Sequence, residues 1–107
     1  MSALLDNLRR QRGGPRDGAL LRFSLGNALL GEGDVAAAIE ELQHALVFDP
    51  TYSAAWKLLG KACLEAARPD AAADAWRRGI AAANRRGDKQ AEKERTVFLR
   101  RLCETPP

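Results

Sequence analysis

The sequence of 107 residues has few of the residues that favour β-strands, with only three valines, two isoleucines and three threonines. Alanine and leucine, by contrast, number 20 and 15. Because these two residues lose little side-chain freedom in a helix, the composition predicts an all-α protein and argues against a β-sandwich or a doubly wound sheet. An apolar fraction of 46% and a net charge of only +3 argue against intrinsic disorder.

Long apolar runs and abundant cysteines are missing as well. No run approaches the roughly 20 apolar residues that cross a bilayer, and charges near the N-terminus interrupt what would be the apolar centre of a signal peptide. We therefore expect no membrane span and a cytoplasmic location. The two cysteines, Cys63 and Cys103, are too few for a disulfide framework, so we expect reduced thiols, with Cys63 in the core.

The sequence repeats itself with a period of 34 residues, because residues 19–52 align with residues 53–86 without a gap. The matching positions are small and large apolar residues at helical spacing. The identical pairs are Leu25/Leu59, Gly26/Gly60, Ala28/Ala62, Leu30/Leu64, Ala37/Ala71 and Ala38/Ala72. This pattern predicts two antiparallel helices in each copy, with the paired glycines and alanines allowing their backbones to approach closely.

These residues resemble the tetratricopeptide repeat, whose pattern is Trp, then Leu-Gly, then Ala, a large apolar residue and Pro. The second copy has Trp56 and then Leu59-Gly60 at the expected spacing, whereas the first copy has Arg22 in place of the tryptophan. Asn84 stands where proline is usual. The resemblance covers about two-thirds of the chain and implies a right-handed α-solenoid, as in a small, stand-alone, bacterial-type member of the family.

Carrying the repeat register to both ends predicts a single domain of about six helices. Its expected parts are a leading helix over residues 2–12, repeats over 19–52 and 53–86, and a capping helix over 88–103. The one-sided apolar faces of the first and last helices suit the ends of a stack. Asp17 and Thr51 are expected to cap the first helix of each repeat, and Asp34 the second helix of the first repeat.

One side of the first helix in each repeat lies opposite the predicted core. In the family that the sequence resembles, this side lines a concave groove that holds an extended or helical peptide. The candidate groove residues are Leu20, Phe23, Asn27, Leu30, Lys57, Lys61, Leu64 and Arg95. Two alternatives remain open: Leu20, Phe23 and Leu30 could pack on the leading helix, and the lysines could form a solvated face.

The groove residues predict a partner with acidic groups. Lysine and asparagine donate hydrogen bonds to carboxylates, and Phe23 is suited to anchor a bound segment, since aromatic residues are frequent hot spots. The resemblance therefore implies a protein or peptide partner for an adaptor, scaffold or assembly subunit. No cofactor is expected.

The charge distribution suggests two alternative functions. A basic set near the C-terminus could bind nucleic acid: Arg85, Arg86, Lys89, Lys93, Arg100 and Arg101. Interleaved acidic residues and the lack of interleaved aromatic residues for base stacking argue against it. Residues 19–52 carry a net charge of −4 between basic ends, so copies of the chain could instead associate with one another.

Catalysis has little support in the sequence. The one histidine, His44, lies among Glu40, Glu41 and Gln43 on the outer part of a predicted helix, where a solvated side chain is expected. No glycine-rich phosphate loop and no cluster of metal ligands occur. We therefore expect a protein that is not an enzyme and holds no metal.

Overall fold

The computed structural model describes residues 3–86 and 99–100, and every regular element in these ranges is helical. The prediction of an all-α protein is confirmed. Residues 3–86 form five helices: α1 (Ala3–Arg10), α2 (Ala19–Gly31), α3 (Val35–Phe48), α4 (Ser53–Glu65) and α5 (Pro69–Arg86). Apart from residues 99–100, which are helical, the predicted capping helix lies outside the described residues. So do Arg95, Cys103 and three of the six residues of the basic C-terminal set, Lys89, Lys93 and Arg101.

The helices pack in chain order. α2 packs along α3, α4 packs along α5, and α3 packs on α4 to join the two pairs. Each pair falls within one copy of the 34-residue period. The leading helix is shorter than expected, because α1 ends at Arg10 and turns follow; its Leu5 is buried with Leu25 and Leu29 of α2.

A glycine makes close contact possible within each pair. A Cβ atom added to Gly26 would lie 2.6 Å from Cγ of Leu42, and one added to Gly60 would lie 2.5 Å from Cε2 of Trp76. Real side chains do not approach so closely, so only glycine fits at either place. The Trp76 indole N–H uses the space at Gly60 to donate to the carbonyl of Lys57 on α4 at 3.3 Å. The sequence predicted close approach of the two backbones. At Gly26 the Ala38 carbonyl of α3 does lie 3.4 Å from the added Cβ, whereas at Gly60 the Trp76 side chain fills the space.

The two turns between paired helices have the same hydrogen bonds. In the first, the N–H groups of Gly33 and Asp34 donate to the carbonyls of Leu30 and Leu29. The second repeats this arrangement 34 residues later, with Ala67 in the place of Gly33. Both residues have positive φ, 83° for Gly33 and 59° for Ala67. Each pair of helices therefore turns through a Schellman motif.

One of the three predicted N-caps is confirmed. The Asp34 carboxylate accepts from the Ala37 N–H at the start of α3. The prediction for Asp17 and Thr51 is wrong, because α2 begins after Gly18 and α4 after Tyr52, and neither N-cap provides a side-chain hydrogen bond. Asp17 instead pairs with an arginine one turn into α2, and the Thr51 hydroxyl donates to Asp49.

Candidate functional site

Four of the eight predicted groove residues line one open cavity between α2 and α4. This α2–α4 cavity has a volume of about 190 Å³. Its lining residues are Phe23, Asn27, Ala54, Lys57, Leu58 and Lys61. Two helices from different repeats thus bring together residues that lie more than 30 positions apart in the sequence.

An aromatic pair supports the apolar side of the α2–α4 cavity. The rings of Phe23 and Tyr52 stack with their centroids 5.2 Å apart and their planes inclined by 28°. Both side chains are partly buried against the main core. Packing against Tyr52 and the core therefore fixes the position of Phe23, which lines the cavity.

Polar groups lie on both helices that border the α2–α4 cavity. Lys57 and Lys61 are one turn apart on α4, the first half-buried and the second exposed. The exposed amide of Asn27 faces them from α2. Ammonium groups donate strong hydrogen bonds to carboxylates, and an amide can both donate and accept. This set of groups is chemically suited to an extended chain that carries acidic groups.

Leu20, Leu30 and Leu64 do not line this cavity, and Arg95 lies outside the described residues. Leu20 and Leu64 are 69% and 46% exposed. Leu30 is partly buried against the cluster that contains Leu5 of α1. Leu30 also packs against the main core cluster, so its burial does not depend on the leading helix alone. Phe23 packs on Tyr52 at the start of α4.

A larger cavity, not predicted from the sequence, lies between α3 and α5 with α4 as its floor. This α3–α5 cavity has a volume of about 420 Å³. Its lining residues are Gln43, Leu46, Val47, Pro50, Trp56, Leu59, Cys63, Ala71, Asp74, Ala75 and Arg78. The Trp56 indole N–H donates to the Pro50 carbonyl at 2.8 Å, and the Arg78 guanidinium lies 5.7 Å from the Trp56 ring centre.

The two cavities lie on opposite sides of α4. A helix turns about 100° per residue, so Trp56, Leu59 and Cys63 share one side and Lys57 and Lys61 the other. A ligand in the α2–α4 cavity would therefore leave the α3–α5 cavity open.

A network of charged side chains occupies the corresponding position in the first repeat. Arg22 binds both oxygens of Asp17, with Nε–Oδ1 at 2.8 Å and a second bond of 2.9 Å. It also donates to Glu41 at 3.1 Å, and Arg12 donates to the other Glu41 oxygen at 2.8 Å. Only 6% of Glu41 is exposed, so this carboxylate is buried between two arginines.

The network also changes the acidity of its members. The hydrogen bond from Arg22, together with the Gly13 N–H, holds the pKa of Asp17 well below its usual range. The hydrogen bond to Asp17 in turn raises the pKa of Arg22. Both groups are thus held in their charged forms.

Comparing the repeats in register shows that the ionic network stands one period before apolar residues that line the α3–α5 cavity. Thirty-four residues after Arg22 and Glu41 stand Trp56 and Ala75, and after Arg12 stands Leu46. Arg22 therefore replaces the family's tryptophan together with its neighbours: Arg12 and Glu41 also stand where apolar residues occur one period later. The three positions change from apolar packing to an ionic network. The Arg22/Glu41 and Trp56/Ala75 pairs are the sequence signal that could have predicted this difference.

His44 and Cys63, the side chains considered for catalysis, do not have the surroundings of catalytic residues. His44 is exposed on α3. Cys63 is buried, and this burial raises the pKa of its thiol, which keeps it protonated and weakly nucleophilic at neutral pH. Within the described ranges, no three potential metal ligands come together. No helix among the described residues is long and apolar enough to span a bilayer.

Comparison with known proteins identifies the arrangement. The family model described as "Tetratricopeptide repeat" matches residues 29–91. A TPR repeat-containing protein of Pseudomonas aeruginosa is 56% identical over 86 residues, which is 80% of this chain and 82% of that protein.

Solved structures agree with this match. The solution structure of a Bordetella parapertussis protein is 45% identical, with a TM-score of 0.80 over 96% of this chain and 90% of that one. The crystal structure of the Sgt2 TPR domain from Aspergillus fumigatus is 27% identical, with a TM-score of 0.76 over 96% of this chain and 72% of that one. The predicted α-solenoid is confirmed.

Proposed function

Because this chain belongs to the tetratricopeptide repeat family, whose members are generally non-enzymatic scaffolds for protein–protein interaction, we propose that it binds a segment of another protein at the α2–α4 cavity. It would act as an adaptor or assembly subunit without chemistry of its own. The segment would place an apolar side chain against Phe23 and acidic groups near Lys57 and Lys61.

The observation that carries this proposal is the meeting of Phe23, Asn27, Lys57 and Lys61 around one cavity. A volume of about 190 Å³ is below the roughly 300–1,000 Å³ that drug-sized ligands occupy, and it suits one side chain of a peptide. The lysines and the amide then supply the charge complementarity that gives an interface its specificity.

The test compares two variants with the same change in charge. Asn27→Asp with Lys61→Glu alters two exposed residues at the cavity, and Ala3→Asp with Arg10→Glu alters two exposed residues of α1. Proteins captured from extract by the wild-type chain are identified, and the affinity of the bound segment is measured by calorimetry. We expect the cavity variant to lose at least tenfold in affinity, a loss of about 1.4 kcal/mol, and the α1 variant to bind normally.

A more disruptive variant probes the apolar contact. Phe23→Asp with Lys57→Glu is expected to abolish capture, provided that circular dichroism shows the variant to be folded. Equal recovery of the same partners by the wild type and both cavity variants would contradict binding at this site.

A further inference from the structure

The outer face formed by α3 and α5 carries both a protruding apolar side chain and a hollow. Val47 is 79% exposed, the highest value among the large apolar residues that the structure describes, and the adjacent Phe48 is 52% exposed. Val47 lies at the rim of the α3–α5 cavity, whose floor includes Leu46, Leu59 and Ala75. A face that contains both a protrusion and a hollow can be complementary to itself.

The charges of the two repeats are also complementary. Residues 19–52 contain one arginine and five acidic residues, whereas residues 53–86 contain seven basic and three acidic residues. The first repeat is therefore −4 and the second +4. On the two helices of this face, exposed Glu40 lies on α3, and on α5 the exposed Arg77, Arg78 and Arg85 outnumber the exposed Asp70 and Asp74, the latter paired with Arg78.

We propose that a second copy of this chain docks on the α3–α5 face about a two-fold axis that runs along the groove between these helices. Such an axis places α3 of each copy against α5 of the other, so that Glu40 on α3 faces the net basic surface of α5. It also brings Val47 of each copy to the cavity of its partner. An interface of this kind uses the same patch on both subunits, as two-fold dimers do.

This interface goes beyond the peptide-binding proposal and is independent of it. The face lies on the side of α4 opposite the α2–α4 cavity, so a dimer would leave that cavity accessible. A dimer would then present two peptide sites. Either proposal can fail while the other holds, because the variants that test them lie on different faces.

The experiment is sedimentation equilibrium of the full chain under reducing conditions, from about 10 µM to 1 mM, because dimer formation depends on protomer concentration. The wild type is expected to show a monomer–dimer equilibrium that shifts toward monomer when salt rises from about 0.05 to 0.5 M, since salt screens exposed charges. Val47→Glu is expected to weaken dimerisation at least tenfold, because it places a carboxylate in an apolar contact.

Leu20→Glu is the matched control. It adds the same charge to the same repeat at another exposed apolar residue, on the helix face that carries Phe23 and Asn27. This variant should dimerise as the wild type does. A wild type that stays monomeric at about 1 mM and low salt, or a Val47→Glu chain that dimerises normally, would overturn the proposal. An equal loss of dimerisation in Val47→Glu and Leu20→Glu would also overturn it. So would a chain that stays monomeric and needs Val47 to capture a different protein.

Discussion

Ala67 has a backbone conformation that suits glycine better than alanine. Its φ of 59° lies in the left-handed region, where the Cβ of an L-residue approaches the following carbonyl oxygen at a cost of about 1–2 kcal/mol. Gly33, at the same point of the preceding repeat, avoids this cost. The shared hydrogen bonds of the two turns hold Ala67 in this conformation all the same.

Ala67→Gly is therefore expected to stabilise the protein. Relief of the backbone strain outweighs the greater freedom that glycine has in the unfolded chain, so the free energy of unfolding should rise by about 0.5–1 kcal/mol. Urea denaturation measures it. Gly33→Ala is the reciprocal variant and should lower the value by a similar amount; a loss of stability in Ala67→Gly would show that the strain is negligible.

Gly60 illustrates the opposite case, in which a single added carbon is costly. Gly60→Ala would force the buried Trp76 ring away from α4 and lengthen its hydrogen bond to Lys57. We expect a loss of about 1–3 kcal/mol from overpacking, and a larger loss for Gly60→Leu. Gly31→Ala is the control, because a Cβ there meets nothing within 4 Å; equal melting temperatures for the Gly60 and Gly31 variants would contradict the close approach.

Among the structural elements, the ionic network connects α2, α3 and the turn that follows α1. Arg12 comes from the turn after α1, Arg22 from α2 and Glu41 from α3. The side chains of Arg22 and Glu41 are 14% and 8% exposed, so each depends on the other as a partner for a charge that is largely removed from water. The exposed pair of Asp74 and Arg78 on α5 has no such dependence.

Glu41→Ala is expected to destabilise the protein by about 1.5–3 kcal/mol, because it removes one charged hydrogen-bond partner of Arg22, which keeps Asp17. Adding Arg22→Trp, which recreates the Trp56/Ala75 pair of the second repeat, should recover much of this loss. Chemical denaturation of the single and double variants gives the coupling energy. Asp74→Ala should cost no more than about 1 kcal/mol, and a Glu41→Ala loss as small as this would show that the network contributes little.

At the scale of the whole molecule, the sequence predicted the features that depend on the repeat. The helix pairs and the close packing at Gly26 and Gly60 follow from residues at fixed spacing. The ionic network could not be predicted in this way, because the partners Arg22 and Glu41 lie on different helices and each occurs in one repeat only. For the same reason Asp17 looked like a helix cap, although it pairs with Arg22.

The candidate site was predicted in part. Helical spacing placed Phe23, Asn27, Lys57 and Lys61 on one side of their helices, and these four line the α2–α4 cavity. Spacing could not show that Leu20 and Leu64 lie outside it, because that depends on how α2 and α4 are inclined to each other. The α3–α5 cavity was not predicted, because its presence depends on which side chains fill the space between the two repeats.

The unequal charges of the two repeats give the molecule an electric dipole along the direction in which the repeats follow one another. The field of such a dipole extends about 10 Å into solution at moderate ionic strength, which is farther than any side chain reaches. Two diffusing molecules are therefore turned toward opposed orientations before their surfaces touch. This steering raises the rate of productive encounter, so the charge distribution determines how quickly molecules meet as well as how they fit.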